Sequence, residues 1–122
     1  MMNNSLALNL GRIIFGIPFL VFGLNHLMMA EQMAGIVPGF LPNGIVWVYF
    51  TGVALICAGL AIVAKRFMKW ACYGLMLFLV VIIGTIHIPA IMAGANMPMP
   101  LISLLKDFGL FGGALILSTL DK

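Results

Sequence analysis

Charge is what this chain has least of. Only 7% of its 122 residues are charged, six basic and three acidic, where a soluble domain carries roughly 25%. At 64% hydrophobic, a chain this short cannot hide its apolar surface inside itself, so the excess has to face lipid. Six scattered basic residues leave no electrostatic footprint for nucleic acid, and no nucleic-acid partner is expected. Cysteine is nearly as scarce. Cys57 and Cys72 form no CxxC or zinc-ligand pattern. Histidine occurs twice, at His26 and His87. With Asp107 the two would complete a three-ligand set, but no HxxxH or HxxE spacing supports one, so no metal is expected. Nothing would hold haem or an iron–sulfur cluster in a recognised way. The first apolar stretch lacks a basic leader and a small-x-small cleavage site, which makes it a retained span.

What the chain does have is long apolar runs, at residues 6–29, 45–64, 70–88 and 101–120. Each is long enough to cross a hydrocarbon core of about 30 Å as a helix. Only a helix satisfies its own backbone there within one segment. The runs do not alternate polar with apolar residues, and four strands are too few to close a membrane barrel. The connections are rich in turn-formers: Pro38, Gly39, Pro42, Asn43 and Gly44 in residues 30–44, then Pro89, Gly94, Asn96, Pro98 and Pro100 in residues 89–100. The expected fold is therefore all-α, a single integral membrane four-helix bundle over residues 1–122.

Orientation follows from the basic residues. Lys65, Arg66 and Lys69 crowd the second connection, while the first and third contain no Lys or Arg. The positive-inside rule makes the second connection cytoplasmic, and both termini with it. Arg12 and Lys122 agree.

A charge within a span costs about 2.5–3.5 kcal/mol on insertion scales and asks for a reason. Arg12 is placed to snorkel to the cytoplasmic headgroups. Lys106 and Asp107 are adjacent in the fourth run, point about 100° apart and are not expected to pair. Lys106 is long enough to snorkel; Asp107 is not, and needs a donor on a neighbouring helix. With the expected topology, Asn25, His26, His87, Lys106 and Asp107 fall at similar depth near the outer face, together with Trp47 and Tyr49. Helical phase adds two stripes: Arg12, Gly16, Phe19, Gly23, His26 and Ala30 on the first span, and Tyr49, Gly52, Ile56, Gly59 and Val63 on the second. Small residues on a shared face suit helix contact in lipid. Pro18 is expected to kink the first span. The same polar cluster reads either as a ligand or proton site or as a hydrogen-bond network that fixes helix register.

The opening GRIIFGIPFLVFGLNHL, the loop VPGFLP, the second-span segment YFTGVALICAGLAIV, the HIP that ends the third span and LLKDFGLFGGALIL in the fourth resemble the DoxX-like family of small four-helix membrane proteins. Their order and spacing carry the likeness over nearly the whole chain. The resemblance implies a bundle in the cytoplasmic (inner) membrane, and for some relatives a link to quinone-dependent sulfur oxidation or oxidative-stress complexes. It also implies polar roles for Arg12, His26, His87 and Lys106. Relatives often carry an acid three residues after the glycine of the second span. Here that position is Leu55, which speaks against an acid-dependent mechanism there.

Two functions compete. In the first, the chain is an accessory subunit of a membrane redox complex that binds quinone or another amphipathic lipid-soluble molecule. Its site residues are His26, His87, Lys106, Asp107, Asn25, Trp47, Tyr49 and Arg12, with Met28, Met29, Met33, Met92, Met97 and Met99 as adaptable walls. In the second it is a membrane scaffold or assembly factor whose polar cluster is structural. A self-sufficient thiol–quinone enzyme would need a close cysteine pair, and Cys57 and Cys72 differ in depth. Proton-linked transport would need a relay from mid-membrane to Arg12, and the sequence provides none. No covalently bound cofactor is expected. A membrane or redox protein partner and a homo-oligomer are both compatible with the sequence. The orientation is directly testable: reporter fusions at Gly35 and Ala95 should read as external and one at Lys69 as cytoplasmic, and the reverse pattern would overturn it.

Overall fold

The computed structural model describes residues 3–37, 39–94 and 99–120, and among them every regular element is helical. Helix α1 (Asn4–Met28) opens on Asn3, whose side-chain oxygen accepts from the Leu6 amide at 2.7 Å, filling one of the orphan donors of a helix start. It runs on through Pro18, which has no N–H to offer the carbonyl four residues back. A short α2 (Ala30–Met33) and a 3-10 turn (Ala34–Ile36) follow, then α3 (Gly44–Ala64) and α4 (Met68–Ile82). A π-helical turn (Ile83–His87) joins α4 to α5 (Ile88–Met92), and α6 (Met99–Ser118) completes the order. Four stretches are long and apolar enough to cross a membrane: Asn4–Met28, Gly44–Ala64, Met68–Met92 and Leu101–Ser118. The chain is a multi-pass membrane protein.

Two connections differ from the sequence reading. Residues 30–44 are not all loop: α2 and the 3-10 turn occupy their first half, and α2 packs on α3 with Ala30 buried. The third span does not stop at residue 88. It passes Pro89 and ends at Met92. The reason lies just upstream, where the Ile88 amide bonds the Ile83 carbonyl five residues back. A proline ring normally crowds the carbonyl four residues before it, and a widened turn at that point lets the helix absorb Pro89 instead of ending there. Pro38, Ala95, Asn96, Met97, Pro98 and Lys122 lie outside the described residues.

The turn between α3 and α4 is as short as expected. The Arg66 amide reaches the Ala61 carbonyl and the Lys65 amide that of Ile62, the paired bonds of a Schellman ending. Lys65 and Phe67 both take left-handed backbone, at φ 58 and 56°, to close it.

The glycine stripes of α1 and α3 meet. A Cβ built on Gly23 would fall 2.7 Å from the Gly52 carbonyl oxygen, and one on Gly52 would fall 3.0 Å from that of Gly23. One turn-pair further along, Gly16 and Gly59 repeat the contact at 3.3 and 3.1 Å. The two helices run antiparallel with backbone against backbone, the packing that lipid favours. Round the bundle, α3 packs on α4, and α4 with its π-helical turn packs on α6. Phe15 of α1 closes the ring against Gly113 of α6. Phe19, Leu55, Ile62, Cys72, Leu75, Ala114 and Leu117 form the core. Cys57 is exposed, Cys72 is buried, and no disulfide joins them. The buried positions of α3 are Val48, Gly52, Leu55, Gly59 and Ile62, so Tyr49, expected on the interface stripe, is instead 44% exposed.

Gly23→Ala should destabilise the protein in detergent by about 1–3 kcal/mol, the usual effect of overpacking. Gly74→Ala, whose new methyl would meet nothing within 4 Å, should be neutral or stabilising by up to about 1 kcal/mol. Equal effects in a reversible unfolding assay would mean that the α1–α3 contact is not the tight one.

Candidate functional site

Two arrangements stand out: a polar cluster at the end of the bundle away from the Lys65–Arg66 turn, and a groove with its polar groups towards that same end. The first is on the α4–α6 seam. Asp107 is 3% exposed, and its Oδ2 lies 2.8 Å from His87 Nε2. The approach is close, yet Oδ2 makes no aligned hydrogen bond to the imidazole. Lys106 lies further out. Its Nζ is 3.8 Å from Asp107 Oδ1, with half of the side chain exposed, and 5.3 Å from the centroid of the Phe22 ring, within cation–π range. The expectation that the adjacent Lys106 and Asp107 would not pair is corrected by this geometry. The ammonium stands over the Phe22 ring and still within ion-pair distance of the carboxylate.

The second arrangement is a groove of about 980 Å³ along the α3–α4 seam. Its floor consists of small residues at helical spacing, Thr51, Ala54, Ala58 and Ala61 on α3 and Ala71 and Gly74 on α4. Between two helices that touch, such positions leave a hollow. Aromatic side chains wall it: Phe40, Trp47 and Phe50 towards one end, Phe67 and Trp70 at the other, with Phe78 between them. Polar groups gather towards the Trp47 end, where His26, Thr51 and Thr85 line it. His26 Nδ1 lies 2.6 Å from the Phe22 carbonyl oxygen. A carbonyl only accepts, so Nδ1 carries the proton and Nε2 of the neutral ring is left as an acceptor. Trp47 donates to the Pro42 carbonyl at 3.0 Å, which pins the indole at the mouth.

His87, Asp107 and Lys106 thus come together, while His26 and Trp47 line the groove, which His87 and Asp107 do not. Asn25 and Tyr49 are exposed and line neither. Arg12 is at the opposite end of the bundle, where Nη1 donates to the Ile62 carbonyl at 2.8 Å and to that of Val63. It caps the last turn of α3, where carbonyls lack intrahelical donors and a cation is favoured. Of the methionines, Met33 lines the groove, Met28, Met29 and Met92 are exposed, and Met97 and the Met99 side chain lie outside what is described. Thr85 ends the third span beside His87 in the sequence reading, but the floor residues are not singled out there, although Thr51, Ala54, Ala58 and Ala61 are spaced 3, 4 and 3 and mark a small-residue face.

Residues 7–88 match the family model DoxX. The chain belongs to the DoxX family. The match covers α1 to the end of the π-helical turn, so the α6 side of the His87–Asp107 contact lies beyond it. No curated protein and no solved structure matches this DoxX-family chain significantly. Leu55, the position at which the resemblance implied an acid, is buried in the core at 3% exposure.

Asp107→Asn and His87→Gln should each lower thermal stability in detergent. The double variant should lose less than the sum, with a coupling of about 0.6–1.7 kcal/mol, the range double-mutant cycles give for polar contacts between membrane helices. Strictly additive losses would mean that the 2.8 Å approach contributes nothing.

Proposed function

We propose that this DoxX-family protein is a membrane subunit that binds an elongated lipid-soluble molecule, a quinone or a lipid of similar shape, in the α3–α4 groove. The observation that carries the proposal is the shape and polarity of that groove: apolar along its length, aromatic-walled, and polar towards one end. Pockets of this kind take amphipathic ligands, the apolar wall supplying affinity and a few polar groups fixing orientation. The tail would lie over Ala54, Ala58 and Gly74. The head would meet Thr51, Thr85 and His26, whose Nε2 is suited to accept from a hydroxyl. By the positive-inside rule the Lys65–Arg66 turn faces the cytoplasm, so the head end is the outer one.

A quinone would supply two-electron redox chemistry, with the electron-carrying cofactor in a partner protein of the same membrane. On this reading His87, Asp107 and Lys106 support the head end from the neighbouring seam. The competing reading is a scaffold, with the small-residue floor receiving a helix of another membrane protein, since small residues also serve helix contact.

The chain has two tryptophans, Trp47 and Trp70, and both line the groove. In a Trp70→Phe variant in nanodiscs, a short-chain ubiquinone analogue should quench Trp47 saturably. Gly74→Leu, which fills open space, should weaken the apparent affinity several-fold. His26→Leu should weaken it by about 2–10-fold, the value of one hydrogen bond. Unsaturable quenching, alike at both tryptophans and in all variants, would remove the quinone reading.

A further inference from the structure

The groove has a second end that a head group at His26 leaves unused. From Thr85 back to Trp70, α4 covers about 22 Å at 1.5 Å per residue, most of a hydrocarbon core of about 30 Å. A lipid from one leaflet reaches only about half that thickness, roughly 15 Å. One such molecule therefore cannot fill the groove, and what sits in the other half is decided by the chemistry at the other mouth.

That mouth is cationic and aromatic. Lys65 and Arg66 are exposed on the Schellman turn, and Lys69 follows one turn on, its ammonium 6.0 Å from the Tyr73 ring centroid. Phe67 and Trp70 are 78% and 69% exposed, yet both line the groove. The described carboxylates, Glu31 and Asp107, belong to the opposite end. The left-handed backbone at Lys65 and Phe67 closes a link of three residues, which carries both cations directly before Phe67, a residue of the groove wall.

We propose that this turn and the adjoining half of the groove bind an anionic phospholipid, with the phosphate on Lys65 and Arg66 and an acyl chain between Phe67 and Trp70 over Ala61, Ala71 and Gly74. Charge complementarity selects the ligand. A zwitterionic lipid has no net attraction to the cations, whereas each Lys or Arg near a membrane surface adds about 1 kcal/mol for an anionic one. Arginine adds two parallel donors matched to a phosphate. Free phosphate offers the same headgroup chemistry without the chain, and Trp70 and Phe67 are what make the lipid the better fit.

The test uses the full chain with Trp47→Phe, so that Trp70 is the sole fluorophore, in nanodiscs of neutral lipid without quinone. Traces of phosphatidylglycerol or phosphatidylcholine carrying brominated chains are then added. The anionic lipid should quench Trp70 at about 25-fold lower mole fraction, about fivefold for each of the two charges. Lys65→Gln and Arg66→Gln should each lower that preference about fivefold, the equivalent of about 1 kcal/mol per charge, and the pair should abolish it. Gly74→Leu, which fills the groove and leaves the charges in place, should reduce the quenching itself. Equal quenching by both lipids, or a preference that survives loss of both charges, would overturn the proposal. So would quenching untouched by Gly74→Leu, which would mark plain surface attraction. Millimolar inorganic phosphate that erased the preference would assign the turn to free phosphate instead. Because this signal comes from Trp70 without quinone, its failure is distinct from a failure at Trp47.

Discussion

The backbone contact between α1 and α3 sets the rest of the structure. Gly16 and Gly23 against Gly59 and Gly52 bring two helices to a separation at which a Cβ on Gly23 would run into backbone and one on any of the other three would be crowded. In lipid the tails compete equally for apolar side chains, so close packing and polar contacts have to hold the helices together. Once this register is fixed, other contacts follow from it. The Gly52 position admits His26, whose Cβ lies 2.9 Å from where a Gly52 Cβ would stand. At the other end the same register carries Arg12 across to the final carbonyls of α3. The glycine face also leaves the alanine face of α3 turned towards α4, and that face becomes the floor of the groove.

Polar groups at membrane depth divide into those that close helix ends and those that join spans. Arg12 does the first. Two of its donors are spent on backbone and Nε is buried without a partner, so it has little left to offer a ligand. His87 and Asp107 do the second, linking the π-helical turn to α6. A buried pair can be net unfavourable against apolar replacement even where breaking it is strongly destabilising. Its presence therefore argues for a constraint other than stability alone, and the half-exposed Lys106 beside it keeps one edge of the pair near the surface.

The four spans, the tight basic turn and the glycine stripes were legible in the sequence, because lipid permits few solutions for a run of twenty apolar residues. Asp107 was legible as a residue in need of a partner, because a carboxylate that short cannot reach the headgroups. Other features depend on tertiary context. Pro89 reads as a stop, and only the π-helical bond from Ile88 to Ile83 shows it as an interior residue. Arg12 reads as snorkelling because nothing local shows that the end of α3 lies beside it. Tyr49 was misplaced by about one residue of helical phase, within the uncertainty of a stripe read from glycines alone. The groove is not legible because the spacing of Thr51, Ala54, Ala58 and Ala61 marks a small-residue face but not whether a helix fills it or stands off it, which only the position of α4 decides.

The π-helical turn connects the two candidate sites. Thr85 and Ile86 line the groove while His87, the next residue, meets Asp107 on the opposite seam. An extra residue per turn lets neighbouring positions address two sides of the helix at once, which is one reason such turns gather at functional sites. A shift in the His87–Asp107 contact would move the same five-residue turn that shapes the polar end of the groove. Rigid α-helix would pass such a displacement along the whole span. A turn whose Ile88–Ile83 bond spans five residues can take it up locally, and this turn carries residues of both seams, Thr85 and Ile86 for the groove and His87 for Asp107.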